Sequence, residues 1–344
     1  MKKILVTGAG GYIGSVLVPK LLANGYQVLA VDRFFFGEEK LLENNQLQII
    51  QDDNRKLTPE LFKDIYGVID LAAISNDPSG EEFQESTTAI NADSRINNAR
   101  LAKTAGVERY ILPSSASIYG FHNEIMSETS PTNPLTTYAK ANEKAETEIL
   151  KLADSSFTAT VIRQATVFGL SPRMRFDLAV NGMTYGAFAT GELPLMRDGN
   201  QYRPFVHIQD TTDVMLKLLE FDKDPINGEI FNVGSDRCNY QLSDLARTIA
   251  DEVGKIKGAK IEIILYGDPD HRSYRLNYSK IEATLSWQAK YDVAYGVREI
   301  ASALEAGKLK KDQTTLTLDW YKELVKWHKI IKRIEKYGGI IDIE

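Results

Sequence analysis

The chain has a single cysteine, Cys238, in 344 residues. That excludes an internal disulfide framework and any zinc site built on thiolates. Histidine is nearly as scarce. His122, His207, His271 and His328 show no metal-ligand spacing, so no metal is expected. No apolar run approaches the roughly 18–20 residues that cross a bilayer, so no membrane contact is expected. Positive charge is in deficit, with a net charge of −6. That argues against nucleic acid as a partner, since sequence-independent binding needs a basic surface. Repeats and low-complexity stretches are missing. A strand pattern begins at Lys3-Ile4-Leu5-Val6, which leaves no room for a signal peptide. With 43% hydrophobic and 26% charged residues, the composition is that of an ordinary soluble protein, and a cytoplasmic location is expected.

What is present is alternation. Short β-rich runs at Ile4–Thr7, Gln27–Asp32, Leu47–Gln51, Gly67–Leu71, Arg109–Pro113 and Thr158–Arg163 are separated by helical patterns starting near Tyr12, Thr58, Thr88 and Thr136. Several of the runs are almost continuously apolar, as strands covered on both faces should be. The pattern predicts a parallel sheet built from βαβ units. After Phe168-Gly169 the alternation breaks. The spacing of Trp320, Leu324, Trp327, Ile331 and Ile334 then predicts an amphipathic helix from Leu316 to Tyr337, expected to dock on its own domain.

Between the first strand and the first helix lies Thr7-Gly8-Ala9-Gly10-Gly11-Tyr12-Ile13-Gly14. Glycine lets a backbone turn tightly and approach a pyrophosphate, whose charge the following helix N-terminus stabilises. The spacing is Gly8-x-x-Gly11-x-x-Gly14, because position 13 is Ile. A glycine triplet alone is a weak signal, but the strand before it, the helix after it and Asp32 at the end of the second strand agree. A carboxylate there accepts from both adenosine ribose hydroxyls and repels a 2′-phosphate, which favours NAD over NADP. Arg33 beside it pulls the other way, since an arginine can accommodate that phosphate.

From residue 2 to about 305 the chain resembles the NAD-dependent epimerase/dehydratase group of the extended short-chain dehydrogenases/reductases. Thr7-Gly8-x-x-Gly11-x-x-Gly14 carries the first match. Asp53-Asn54-Arg55 is similar to the family's Asp-x-Arg segment, whose Asp faces the adenine. Leu71-Ala72-Ala73 is similar to the strand end beneath the pyrophosphate, although Asp70 stands where the family usually has His. Asn91 falls at the family's cofactor-side Asn. Ser114-Ser115-Ala116-Ser117-Ile118-Tyr119-Gly120 resembles the catalytic Ser-Ser-x-x-x-Tyr-Gly strand end, and Pro134 with Tyr138 the Pro-x-x-x-Tyr segment. Further on, Arg203-Pro204-Phe205-Val206-His207 and Phe231-Asn232-Val233-Gly234 match, and Asp268 to Arg272 ends in an Arg where the family grips the nucleotide diphosphate.

The resemblance implies an α/β fold, a doubly wound parallel (Rossmann) sheet with a smaller C-terminal α/β substrate domain. The expected divisions are 1–168 plus 206–234 for the NAD-binding domain, 169–205 plus 235–310 for the substrate domain, and 311–344 for the tail. It implies NAD as cofactor, a nucleoside-diphosphate sugar as partner, and a homodimer through the helices starting at Thr88 and Thr136. Gly8, Gly11, Tyr12, Ile13, Gly14, Asp32, Arg33, Asp53, Asn54, Leu71, Ala72, Ala73, Asn91 and Ser114 are expected at the cofactor. Ser75, Asn76, Ser117, Arg175, Asn181, Arg203 and Arg272 are expected at the substrate, the last two because guanidinium forks suit a diphosphate. Arg173 and Asp177 lie in the same substrate loop. His207 is read as structural.

Ser115 and Tyr138 are the expected catalysts, with Ser115 also expected at the substrate and Tyr138 also at the cofactor. Hydride can leave a sugar carbinol only as a base takes the hydroxyl proton. The family's base is a Tyr phenolate, and its ordinary pKa near ~10 must fall. Oxidised nicotinamide lowers it, and so does a Lys one helical turn after the Tyr. Here Tyr138-Ala139-Lys140-Ala141-Asn142 puts Asn142 in the Lys position. Asn142 can still meet a ribose hydroxyl, so it is expected at both the catalytic and the cofactor site. At ~5–6 Å and an effective dielectric near ~20 the missing charge is worth roughly 3 kcal/mol, about two pKa units. Lys140 and Lys144 point away from Tyr138 on a helix. Three readings follow: a Lys-to-Asn variant, a natural enzyme that is slow or uses another proton route, or a non-catalytic NAD and sugar-nucleotide sensor. Ala116 and Ser117 replace the acid–base pair of the family's 4,6-dehydratases, which leaves 4-epimerisation, 4-ketoreduction or another sugar C–H oxidation, and the NAD preference read from Asp32 tilts toward epimerisation. Impaired turnover is the expectation.

Overall fold

The computed structural model describes residues 1–39, 41, 43–196, 199–267 and 273–334. Seven parallel strands form the central sheet: β1 (Lys3–Thr7), β2 (Gln27–Asp32), β3 (Leu47–Gln51), β4 (Gly67–Asp70), β5 (Arg109–Ser115), β6 (Thr158–Gln164) and β7 (Ile230–Val233). Their order is β7-β6-β5-β4-β1-β2-β3. Ile4, Leu5 and Val6, like Val68 and Ile69, have no exposed surface, because helices cover both faces of the sheet. One buried layer gathers Ile4, Val6, Ala30, Ile111 and Val206, and the other gathers Leu5, Leu29, Val68, Tyr110 and Val161.

The strand order reverses between β1 and β4, the point at which open α/β sheets bind ligands. The carboxyl ends Thr7, Asp32, Asp70, Ser115 and Gln164 face that crevice from one edge. The chain is an α/β protein with a doubly wound Rossmann sheet. A third buried cluster, with Phe168, Leu193, Phe205, Leu245, Ile249 and Val297, holds the helices Ala179–Thr190, Leu242–Lys257 and Val293–Glu305 against a two-stranded parallel sheet, Glu192–Met196 with Glu262–Tyr266. The strand Tyr202–His207 links the two parts by pairing with Thr166–Phe168 and Asn239–Gln241.

The helices bounding the crevice are α1 (Gly14–Ala23), α2 (Asp77–Glu82), α3 (Arg95–Thr104), α4 (Thr137–Leu150) and α5 (Thr317–Ile334). Thr136 caps α4, its hydroxyl accepting from the Ala139 amide at 3.2 Å. The helix expected near Thr58 is only a 3₁₀ turn, Pro59–Phe62, because Asp64 takes a left-handed φ of 60° as the chain turns into β4. The helix expected from Thr88 is interrupted. A short helix, Gln84–Thr88, leads into a π-helical turn, Ala89–Ser94, before α3 begins. Such wide turns carry an extra residue and re-aim the side chains that follow. Among the described residues no helix is long and apolar enough to cross a membrane, and no cluster of metal-ligating side chains is present.

Candidate active site

A cavity of about 550 Å³ opens along the carboxyl ends of the strands. Its floor is the glycine loop: Gly8, Gly11, Tyr12, Ile13 and Gly14 all line it. Gly8 has a φ of +64°, and a Cβ there would stand 2.8 Å from the Ala72 nitrogen, so only glycine lets the loop rest on the end of β4. Thr7 fixes that end, accepting from the Ala72 amide at 3.0 Å and donating to Asp70 at 2.5 Å. Leu71, Ala72 and Ala73 follow along the wall.

At the far end of the cavity Asp32 accepts from the Gly10 amide at 3.0 Å and the Phe34 amide at 2.7 Å. Burial raises its pKa, and these backbone donors oppose the rise. Arg33 donates to Asp53 at 2.7 Å, and Arg55 donates to the same carboxylate at 2.6 Å. The hydrogen bond from Arg55 leads in holding Asp53 well below the usual carboxylate range. Arg33 is thus committed to Asp53 rather than held beside Asp32. Asn54 lines the cavity and is tied to the start of α3, donating to Ser94 at 3.0 Å and accepting from Asn98 at 2.9 Å.

Above the glycine loop sits Arg173, which is 3% exposed. It donates to Thr317 at 3.0 Å and lies 3.7 Å from the Phe36 ring centroid, while its Nε and Nη1 have no hydrogen-bond partner. Burial pushes its pKa down, helped by Arg175, to about 10, which leaves it charged at neutral pH. A buried cation with idle donors beside a glycine loop and a helix N-terminus suits a phosphate. Together with the Asp32 carboxylate, these residues fit a dinucleotide.

Two of the expected catalysts meet on the cavity wall. Ser115 ends β5 and accepts from the Ser117 amide at 3.2 Å, which fixes its side chain at the 3₁₀ turn Ala116–Tyr119. Tyr138, on the first turn of α4, is partly buried. Burial raises its pKa, while a hydrogen bond with Ser115 and then the charge of Arg95 pull it down. Ser114, Ser115, Ser117 and Tyr138 line one wall of the cavity.

Asn142 departs from expectation. It is 1% exposed and does not line the cavity. Its amide donates to the Tyr138 carbonyl at 2.9 Å, and its oxygen accepts from Arg95 Nη1 at 3.0 Å. A contact with a bound ribose is therefore not its geometry, because both ends of the carboxamide are engaged inside the protein. Asn91 is corrected in the same way. Its side chain clamps Ile74, accepting from the amide and donating to the carbonyl, both at 2.9 Å, and so shapes the loop after β4 from behind. Asn181 is fully buried. It accepts from the Gly169 amide and donates to the Tyr12 hydroxyl and the Arg175 carbonyl, positioning the substrate loop without facing the cavity. The Tyr12 hydroxyl is likewise spent on the Gly169 carbonyl at 2.6 Å.

On the substrate side, Arg175 grips Asp177 at 3.0 and 2.7 Å and donates to the Ser75 hydroxyl at 2.9 Å. Asn76 caps α2 by accepting from Ser79 and donates to Asp177 at 2.8 Å. Ser75, Asn76, Arg175 and Arg203 all line the cavity, with Arg203 packed 5.6 Å from the Tyr274 ring centroid. Arg272 lies outside the described residues. His207 is fully buried, meets Glu299 at 2.8 Å and accepts from the Gln209 amide at 3.3 Å. Its role is to start the next helix. Lys144 pairs with Asp93 at 2.7 Å on the surface.

Sequence reasoning missed two contributors. Tyr321, Leu324 and Val325 of α5 close one side of the cavity, and the apolar spacing of that helix signalled docking without saying where. Arg95 left a fainter signal, a charge amid the apolar face of α3 near Ile96 and Ala99, both buried.

Residues 4–234 match the NAD dependent epimerase/dehydratase family. A putative UDP-glucose 4-epimerase of Methanocaldococcus jannaschii is 27% identical over 87% of this chain and 97% of its own length. UDP-glucuronic acid decarboxylase 6 of Arabidopsis thaliana is 27% identical over 86% of each. The crystal structure of a UDP-glucuronic acid 4-epimerase from Bacillus cereus, in complex with UDP-glucuronic acid and NAD, superposes with a TM-score of 0.76 at 25% identity, covering 88% of this chain and 99% of the other. With the glycine loop, Asp32 and the Ser115–Tyr138 pair on one cavity, and two thirds of its sequence matched, the chain belongs to the NAD-dependent epimerase/dehydratase family.

Proposed function

We propose that this protein oxidises and re-reduces a sugar carbon of a nucleoside diphosphate sugar, and that its net reaction is 4-epimerisation with NAD retained. The observation that carries the reading is the placement of Ser115 and Tyr138 on the same cavity as the glycine loop and Asp32. The similar proteins named for UDP-glucose and UDP-glucuronic acid support a UDP-sugar. Bound NAD would supply the hydride acceptor and donor for the sugar carbon. Gly8, Gly11, Gly14 and Arg173 would hold its phosphates, and Asp32 its adenosine ribose.

The chain's own residues do the rest. Tyr138 takes the sugar hydroxyl proton, and Ser115 hydrogen-bonds the same oxygen to hold it in line. Arg203 meets the diphosphate, and Ser75, Asn76 and Ser117 meet the sugar. Ala116 and Ser117 offer no acid–base carboxylate, which sets 4,6-dehydration aside. The α5 helix over the cavity favours retained cofactor, hence epimerisation over ketoreduction, in which cofactor must exchange every cycle.

The test is incubation of the purified chain with UDP-glucose, UDP-galactose, UDP-glucuronate and UDP-N-acetylglucosamine, with products read by NMR. The expected outcome is interconversion of one 4-epimeric pair without added NAD. Net consumption of added NADH would point to a reductase. Tight NAD and UDP-sugar binding without turnover would point to a sensor.

A further inference from the structure

The proposed chemistry lacks the helix lysine that serves the tyrosine, yet a buried cation reaches Asn142, one helical turn after Tyr138. We propose that Arg95 is the positioning cation that serves Tyr138 in place of that lysine, with Asn142 as the residue that docks it. The proposal rests on reading Tyr138 as the base.

Arg95 is 2% exposed and is the first residue of α3, directly after the π-helical turn. Its Nη1 donates to Asn142 Oδ1 at 3.0 Å, and its Nε donates to the Ala72 carbonyl at 3.1 Å. A guanidinium taken out of water needs a counter-charge. Asp70, fully buried, supplies it with Oδ1 4.0 Å from Nε. Asp70 in turn accepts from Thr7 and from Tyr110, each at 2.5 Å, and Tyr110 also lies 3.1 Å from the Arg95 carbonyl. The carboxylate thus meets the stem of the guanidinium, while the distal nitrogen reaches α4. The pair forms a buried dipole with its positive end toward the helix that carries Tyr138.

This arrangement explains why position 142 is not lysine. An ammonium there would meet the guanidinium of Arg95 in a site closed to water, and Asp70, the carboxylate paired with Arg95, would then face two cations. A neutral amide instead accepts from Arg95 and donates to the Tyr138 carbonyl one turn earlier. Asp70, Arg95 and Asn142 therefore form one charge-balanced set, and lysine with an uncharged residue 95 would form another. The charged groups that bear on Tyr138 besides Arg95 are Arg175 from the substrate loop and Asp77 from α2, the latter opposing ionisation; Ser115 from β5 supplies the hydrogen bond.

The experiment titrates the Tyr138 phenolate by ultraviolet absorbance, with and without NAD, as the difference between each protein and its Tyr138→Phe counterpart. Arg95→Met should raise the midpoint by about one to two pH units, a roughly ten- to hundred-fold loss of ionised tyrosine at neutral pH. Arg95→Lys should hold the midpoint close to the parent's. Asn142→Lys alone should fold less stably without a lower midpoint, whereas Arg95→Met with Asn142→Lys should return it to the parent value. If Arg95→Met does not fold, Arg95→Met with Asp70→Asn removes the buried pair as a unit and should give the same rise. An unmoved midpoint in Arg95→Met, or in Arg95→Met with Asp70→Asn, or a lowered one in Asn142→Lys with full stability, overturns the proposal. The reading of Tyr138 as the base fails separately, if Tyr138→Phe leaves sugar turnover intact.

Discussion

Gly80 of α2 lies directly against Tyr138: a Cβ built on the glycine would stand 3.0 Å from the tyrosine Cβ and 3.3 Å from its backbone nitrogen. The neighbour would have to yield by a few tenths of an ångström. In the proposed reaction Tyr138 must stay aligned with the sugar oxygen to take a proton from it, and small displacements of a reacting group are costly. Gly80→Ala is therefore expected to lower kcat by about three- to tenfold with unchanged NAD affinity. Steady-state kinetics beside a calorimetric binding isotherm checks it, and an unaltered kcat would show that α4 does not depend on this contact.

Trp320 ties α5 to the rim of the cavity, donating its indole N–H to the Phe35 carbonyl at 2.5 Å. Next to it Tyr321 packs against Phe35, Phe36 and Phe83 at centroid distances of 6.2, 5.6 and 6.3 Å. Aromatic pairs contribute about 0.5–1.5 kcal/mol each. Tyr321→Ala is expected to speed NAD release at least roughly tenfold. Stopped-flow displacement of bound NAD measures this, and an unchanged off-rate would mean that α5 packs on the domain without holding the cofactor in.

Arg173 stands in the fold at a cost, since its Nε and Nη1 are buried without partners. Arg173→Met removes that cost and keeps the packing on Phe36. The ligand-free protein is expected to melt higher, while NAD binding weakens by about ten- to hundredfold, the worth of charge-assisted bonds to phosphate. Thermal denaturation with and without NAD reads both effects. A variant that binds NAD as tightly as the parent would remove Arg173 from the phosphate site.

Asp53 provides the pH dependence. Its folded-state pKa is depressed, chiefly by the hydrogen bond from Arg55, so its contribution to stability is fully present above the unfolded value, 3.8, and is lost as pH falls through the lower folded value. Both arginines are more than a third exposed, at 46% and 41%, and screening limits the contribution to about 1 kcal/mol. Asp53→Asn should cost about that much from pH 5 to pH 7, with the gap from the parent closing below about pH 3. Urea denaturation across that range tests it, and a gap that persists in acid would exclude the ion pairs as its source.

Much of the glycine-loop end of the cavity was legible in the sequence, because it is built locally. A strand, a glycine turn and a helix N-terminus are consecutive, and Asp32 follows one βα unit later. Their meaning comes from backbone conformation and short-range spacing, both of which are written in residue type. The same holds for Ser115 at a strand end and for Tyr138 just after its Thr136 cap. Asn91, Asn142 and Asn181 misled because their positions face the right direction in outline while their carboxamides are claimed by nearer partners: Ile74, Arg95 and the Tyr12–Gly169 pair. A sequence motif fixes where a Cα sits, and competition among buried donors and acceptors decides where the side chain points.

The sequence by itself determined the doubly wound sheet, the glycine loop, the Ser–Tyr pair and the absence of lysine at position 142, since each follows from periodicity or residue identity over a few turns of chain. Only the tertiary structure decided what surrounds that position. Arg95 and Asn142 are 47 residues apart and Trp320 and Phe35 are 285 apart, and no local pattern links them. A buried cation can dock on Asn142 of α4 only when β4 brings Asp70 to balance it and the chain after the π-helical turn carries it to α4. These are conditions of packing and desolvation, met once the chain has closed on itself.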